Sequence, residues 1–181
     1  MEQNQTHQTQ GQPQTSASPA QIDSQKFNLL LDRLRGEQNL PAGAAAGLVA
    51  ALIGAVVWAV VTYVTHYQIG WMAVGVGFLV GYAVRLAGKG IDKTFGIVGA
   101  SLAFFGCALG NLLAICALVA KQENASLLTI LANLDLVAAG QVLLETFQPM
   151  DLLFYGIAIY EGYKFSFRQI TEQDLTTLKT S

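Results

Sequence analysis

The run from Gln38 to Val84 contains no Asp, Glu, Lys or Arg. A charge-free stretch of that length, rich in Ala, Val, Leu, Ile and Gly, does not suit a soluble domain. It does hold two membrane-spanning helices of about 20 residues each, with a tight turn between them. The segment His66-Tyr67-Gln68-Ile69-Gly70-Trp71 supplies the turn. The whole chain agrees with this: 12% of its residues are charged, against about 25% in an ordinary soluble domain.

The first span is expected over about residues 42–66, entered through Pro41, whose missing N–H costs nothing at a helix N-terminus. Its first half repeats small residues every four positions: Ala42, Ala46, Ala50 and Gly54 in one row, Gly43, Gly47, Ala51 and Ala55 beside it. The second span, about 71–87, carries Ala73, Gly77 and Gly81 and ends at Arg85; the third, about 94–120, carries Gly106, Gly110 and Ala114, with Asn111 beside them. Small rows of this kind let helix backbones touch, so Gly47, Gly54, Gly77, Gly81, Gly106 and Gly110 are expected at helix–helix seams. Cys107 and Cys116 face opposite sides of the third span and read as small buried hydrophobes.

Residues 121–149 are apolar but interrupted by Lys121, Glu123, Asp135 and Glu145. A helix spanning Ala125 to Phe147 would put Asp135 near mid-bilayer, at a cost of about 2.5–3.5 kcal/mol. One or two extracytoplasmic amphipathic helices are expected instead. A fourth span over about 150–166 follows Pro149, with Asp151 suited to its N-terminus and Lys164 and Arg168 to its C-terminus. Its aromatic ends, Phe154 and Tyr155 against Tyr160, Tyr163, Phe165 and Phe167, would lie in the headgroups.

The flanks are simpler. Residues 1–25 are Gln-rich and polar, too poor in apolar surface to order themselves. In residues 26–40, Phe27, Leu30, Leu31 and Leu34 follow helical spacing, with Lys26, Arg33 and Arg35 on the polar side. That is either a helix on an anionic membrane surface or a plain juxtamembrane lead into the first span. Residues 169–181 form a polar tail.

The basic residues orient this four-span, all-α bundle with its short amphipathic helices. Nine of the ten, namely Lys26, Arg33, Arg35, Arg85, Lys89, Lys93, Lys164, Arg168 and Lys179, fall on one side and Lys121 alone on the other. The positive-inside rule then makes both termini cytoplasmic.

No motif names a reaction. There is no HExxH or CxxC, and the GKG at residues 88–90 lacks P-loop spacing. His7 and His66 make no metal site, no cofactor is implied, and ten scattered basic residues form no nucleic-acid patch. The candidate polar site is Arg85, Glu161 and Asn111, because ionisable groups in spans are functional hypotheses by default. Arg85 and Glu161 could meet near the cytoplasmic boundary and hold an anionic lipid or solute. Alternatively Arg85 snorkels to lipid phosphates at the cytoplasmic face while Lys164 satisfies Glu161. Asn111 is expected to bond Thr62, placed at similar depth, or a backbone carbonyl.

The run IGWMAVGVGFLVGYAVRLAGKGIDKTFGIVGASLAFFGCALGNLLA and the later FQPMDLLFYGIAIYEGYKFSFR resemble a family of uncharacterised small multi-pass bacterial membrane proteins. The resemblance covers about residues 45–168. It implies a bacterial inner membrane and a four-span bundle, and transfers no catalytic residues. The expected function is a non-enzymatic scaffold or accessory subunit, with the lipid bilayer, a membrane-protein partner or a second copy as its company. The alternative is a small oligomeric transporter or channel for a small solute or lipid.

Overall fold

Glycine and alanine make up much of the helix seams, together with Trp58, Val76, Val80, Val84 and Phe95, while many other valine, leucine and phenylalanine side chains stand on the outside. The structure, a computed structural model, describes residues 19–67 and 69–169. The expected tail up to residue 18, Gln68 of the first turn, the tail from residue 170 with Lys179, and the side chains of residues 19–24, Lys26 and Leu136 lie outside the described residues. Among the described residues there are seven helices and no strand: α1 Pro19–Gly36, α2 Leu40–Thr65, α3 Trp71–Gly88, α4 Lys93–Gln122, α5 Leu127–Asn133, α6 Leu136–Thr146 and α7 Pro149–Phe165. Three of them, α2, α3 and α4, are long and apolar enough to cross a membrane.

Helix α2 starts where Asn39 Oδ1 accepts from the Ala42 N–H at 3.0 Å, with Pro41 in the first turn. It ends at His66, whose φ of 60° closes the helix with an N–H bond to Thr62 O. His is one of the side chains that tolerate this left-handed conformation. Helix α7 starts where the Gln148 N–H donates to Asp151 Oδ2 at 2.9 Å, the role expected of Asp151.

Helices α3 and α4 pack against each other, and α2 and α7 each pack against both, from opposite sides. Side-chain positions fix the directions. Gly106 faces Ala51 and Gly110 faces Ala55 and Trp58, so α2 and α4 run parallel. Gly77 faces Ala158 and Gly81 faces Gly162, so α3 and α7 also run parallel. Gly43 faces Gly88 and Val84 while Gly54 faces Val76, so the two pairs are antiparallel to each other. The end carrying the starts of α2 and α4 is called basal here, and the opposite end distal.

Gly43, Gly47, Ala51 and Ala55 are all buried, as are Gly54, Gly77, Gly81, Gly106 and Gly110. A Cβ at Gly77 would lie 2.5–2.9 Å from the Ala158 backbone, and one at Gly106 2.9 Å from Val76 and 3.1 Å from Ala51. Both Cys107 and Cys116 are free and buried.

Three expectations change, and the one or two helices expected over 121–149 resolve to two. Helix α1 begins at Pro19, seven residues before Lys26, since Pro fits a first helical turn and Ala and Gln extend it readily. Within it Leu30 and Leu34 are buried by protein while Phe27 and Leu29 are exposed, so its apolar face is divided between the bundle and the outside. The segment 121–149 forms two helices bent by 112°. Asp135 breaks them, accepting from the Ala138 N–H at the start of α6, and a carboxylate serving as a cap cannot sit mid-helix. Tyr155 is buried against Phe104 and Phe147 rather than placed in a headgroup layer, because it shares the α7 face of Ala158 and Gly162.

Candidate functional site

The three polar residues singled out by sequence do not form one site. Glu161 stands level with Gly81 across the α3–α7 seam, and Arg85 lies one turn further toward the basal end, about 6 Å along α3. No ion pair joins them among the described residues, and Glu161 Oε2 is buried without a hydrogen-bond partner. Lys164 does not supply one either: its ammonium stands over the Tyr160 ring, 5.5 Å from the centroid. Glu161 leans into a helix seam while Lys164 lies on the exposed face of α7.

Asn111 is 1% exposed and its side chain faces the Tyr155 hydroxyl. Thr62 is not its partner. Ala51 to Gly106, Ala55 to Gly110 and His66 to Lys121 mark one constant register of 55 positions between α2 and α4. That register puts Thr62 at the level of Ala117, about 9 Å beyond Asn111. The Thr62 hydroxyl and the Trp58 indole N–H are buried with no hydrogen-bond partner among the described residues.

Two polar assemblies join residues that the sequence reading left apart. At the basal end, Gln38 ties the α1–α2 joint to the α3–α4 loop. Its Oε1 accepts from the N–H groups of Ile91 and Asp92 at 3.1 and 3.3 Å, and its Nε2 donates to Asp92 Oδ2 at 2.9 Å. Arg168, just beyond α7, donates to Glu37 at 2.8 Å through its guanidinium and to Gly90 O at 2.7 Å through its backbone N–H. The guanidinium holds the Glu37 carboxyl below its ordinary value.

At the distal end a cleft of 510 Å³ opens between α2, α4 and α5. Val56 and Val60 form one wall, Leu113 another, and Leu127 and Leu131 of α5 a third. Lys121 is its one charged lining residue. Lys121 Nζ lies 2.6 Å from His66 Nε2 and 4.7 Å from the centroid of the Tyr63 ring.

Sequence reasoning placed His66 in the first turn and Lys121 as the single basic residue on the far side, without joining them. The signal that could have joined them is the shared end of two parallel helices, which requires knowing that α2 and α4 are parallel. It also passed over the row Ala158, Gly162 and Ser166 in α7 behind the aromatic residues. Gly162 packs onto the Gly99 backbone there, with Ser166 filling the space beside Gly99. Among the described residues no group of three or more His, Cys, Asp or Glu side chains is arranged to hold a metal. Comparison with protein-family models, curated proteins and solved structures finds no match to this chain.

Proposed function

We propose that the chain is an integral membrane protein that crosses the bilayer four times, through α2, α3, α4 and α7, and serves as a non-enzymatic scaffold or accessory subunit. The observation that carries the membrane part is the inverted distribution of size. Ala51, Ala55, Ala73 and Ala103 are wholly buried, while Val49, Ile53, Val56, Val60, Phe104 and Leu152 are mostly exposed on the outside of the same bundle. Water would punish that arrangement, since large apolar side chains gain about 25 cal/mol for each Å² withdrawn from it. Lipid does not, and there the helices associate through close backbone contact.

Helix α7 has 17 residues, which reaches about 26 Å and crosses a core of about 30 Å with its aromatic ends in the interfaces. Among the described residues the basal end carries Arg33, Arg35, Arg85, Lys89, Lys93, Lys164 and Arg168, against Lys121 at the distal end, and it is assigned to the cytoplasm. A bacterial inner membrane agrees with the sequence resemblance over residues 45–168.

The scaffold reading is supported by the closed seams. Where α2 meets α4, and α7 meets α3 and α4, backbone lies against backbone, which leaves no width for a solute path through one copy. The basal hydrogen bonds of Glu37, Gln38 and Arg168 hold α1 at a fixed exit from the bundle, where it can present its exposed residues to a partner. Gentle-detergent purification from native membranes, with and without residues 1–36, tests this. A stoichiometric protein partner that is lost with the deletion supports the scaffold.

One observation favours the transport alternative: the unpartnered Glu161 oxygen inside a proposed span. Ion or proton flux into liposomes holding the purified protein, abolished by Glu161→Gln, would replace the scaffold with an oligomeric transporter.

A further inference from the structure

We propose that the distal cleft between α2, α4 and α5 is a binding site for an anionic phospholipid, with one acyl chain in the cleft and the phosphate on Lys121. The inference rests on the membrane placement of the bundle and is independent of what the protein scaffolds. Three features of the cleft specify the occupant.

The first is shape. The lining runs from Leu113 to Lys121 on α4, about 12 Å along the helix axis. One leaflet of the hydrocarbon core is about 15 Å deep. The cleft therefore covers most of a single leaflet, and its volume of 510 Å³ lies in the range of about 300–1,000 Å³ typical of small-molecule sites.

The second is chemistry along that length. The walls are valine, leucine and alanine, and the polar groups gather at the distal mouth. That is the polarity profile of a lipid standing in its own leaflet, with an apolar tail below and a charged head above.

The third is charge. Lys121 makes no ion pair among the described residues. Its contacts are the His66 imidazole nitrogen and the Tyr63 ring face. Both orient an ammonium, and neither neutralises it. A phosphate diester at the mouth supplies the missing negative charge and leaves the other ammonium donors directed outward. Helix α5 makes the site specific to this fold. Its Ser126 cap, which accepts from the Leu128 N–H, turns Leu127 and Leu131 over the open side of an otherwise flat helix pair.

The full-length protein, reconstituted in nanodiscs of phosphatidylcholine containing a minority of phosphatidylglycerol, is released into mild detergent and weighed by native mass spectrometry. The expected result is one retained phosphatidylglycerol in preference to phosphatidylcholine. Lys121→Gln should weaken that preference about five-fold, the contribution of one lysine near a membrane surface. Val60→Trp, at a position facing the cleft from the exposed side of α2, should expel the lipid whatever its headgroup. Lys164→Gln at the opposite end should change nothing.

Equal retention of the two lipids by the wild type overturns the proposal. So does phosphatidylglycerol retention that survives both cleft variants, or that is lost with Lys164→Gln. A dimer in the wild type that Val60→Trp dissociates would show a second copy in the cleft, and would also overturn it. Failure of the protein to float with phosphatidylcholine vesicles would instead defeat the membrane placement itself.

Discussion

Arg168 Nη1 donates to Glu37 Oε2 at 2.8 Å across 131 positions of sequence, joining the chain after the last bundle helix to the joint before the first. The Arg168 backbone N–H is bound to Gly90 O in the loop between α3 and α4. One residue thus gathers three chain segments that leave the same end of the bundle.

The hydrogen bond from the Arg168 guanidinium holds the Glu37 carboxyl below its ordinary value of 4.5. A carboxylate depressed in the folded state stabilises at pH above its unfolded value, and that contribution is lost as pH falls through the folded one. Thermal stability in detergent should therefore fall below pH 4.5 more steeply for the wild type than for Glu37→Gln. The difference should be small, since Glu37 is exposed and water screens the pair. Parallel wild-type and variant curves would show that the contact contributes nothing in solution.

Replacing Gly77 and Gly81 together by Leu should force α3 away from the Ala158 and Gly162 backbone. Replacing Gly106 and Gly110 should do the same between α4 and α2. Overpacking of this kind costs about 1–3 kcal/mol, and both double variants should melt earlier in detergent. Unchanged melting for either pair would mean that its face looks at lipid.

The Arg85 and Glu161 side chains are not joined, so their effects on stability should be independent. A double-mutant cycle with Arg85→Gln and Glu161→Gln should be additive to within about 0.3–0.5 kcal/mol. A larger coupling would show that the pair meets in the bilayer.

Asn111 and Tyr155, by contrast, stand close enough inside the bundle to hydrogen-bond. The cycle of Asn111→Leu with Tyr155→Phe should show coupling of about 0.6 kcal/mol, the average for such bonds in membranes. Thr62→Val should be neutral or stabilising, because the Thr62 hydroxyl bonds nothing among the described residues. A loss above 1 kcal/mol for Thr62→Val would show that the hydroxyl has a partner in the bilayer.

Topology can be read with reporter fusions after Asn124 and after Ser181. The basic bias predicts an extracytoplasmic Asn124 and a cytoplasmic C-terminus. An extracytoplasmic C-terminal reporter would break the four-span arrangement and relocate the basal hydrogen-bond cluster with it.

The sequence by itself determined the bundle helices and the faces they bury. A charge-free run, Pro41 at one helix start, Asp151 at another and glycines four apart all act within a few turns of one helix, and local spacing records them. Periodicity also made Gly77 and Gly106 seam residues without saying which helix each would meet. The tertiary structure alone decided the partners. Whether Glu161 faces Arg85, and whether Asn111 reaches Thr62 or Tyr155, depends on the register between helices far apart in sequence. A shift of one turn, about 5.4 Å, is enough to make or break such a contact. The pairing of His66 with Lys121 and the cleft roofed by α5 arise in the same way, from two parallel helix ends that no local pattern brings together.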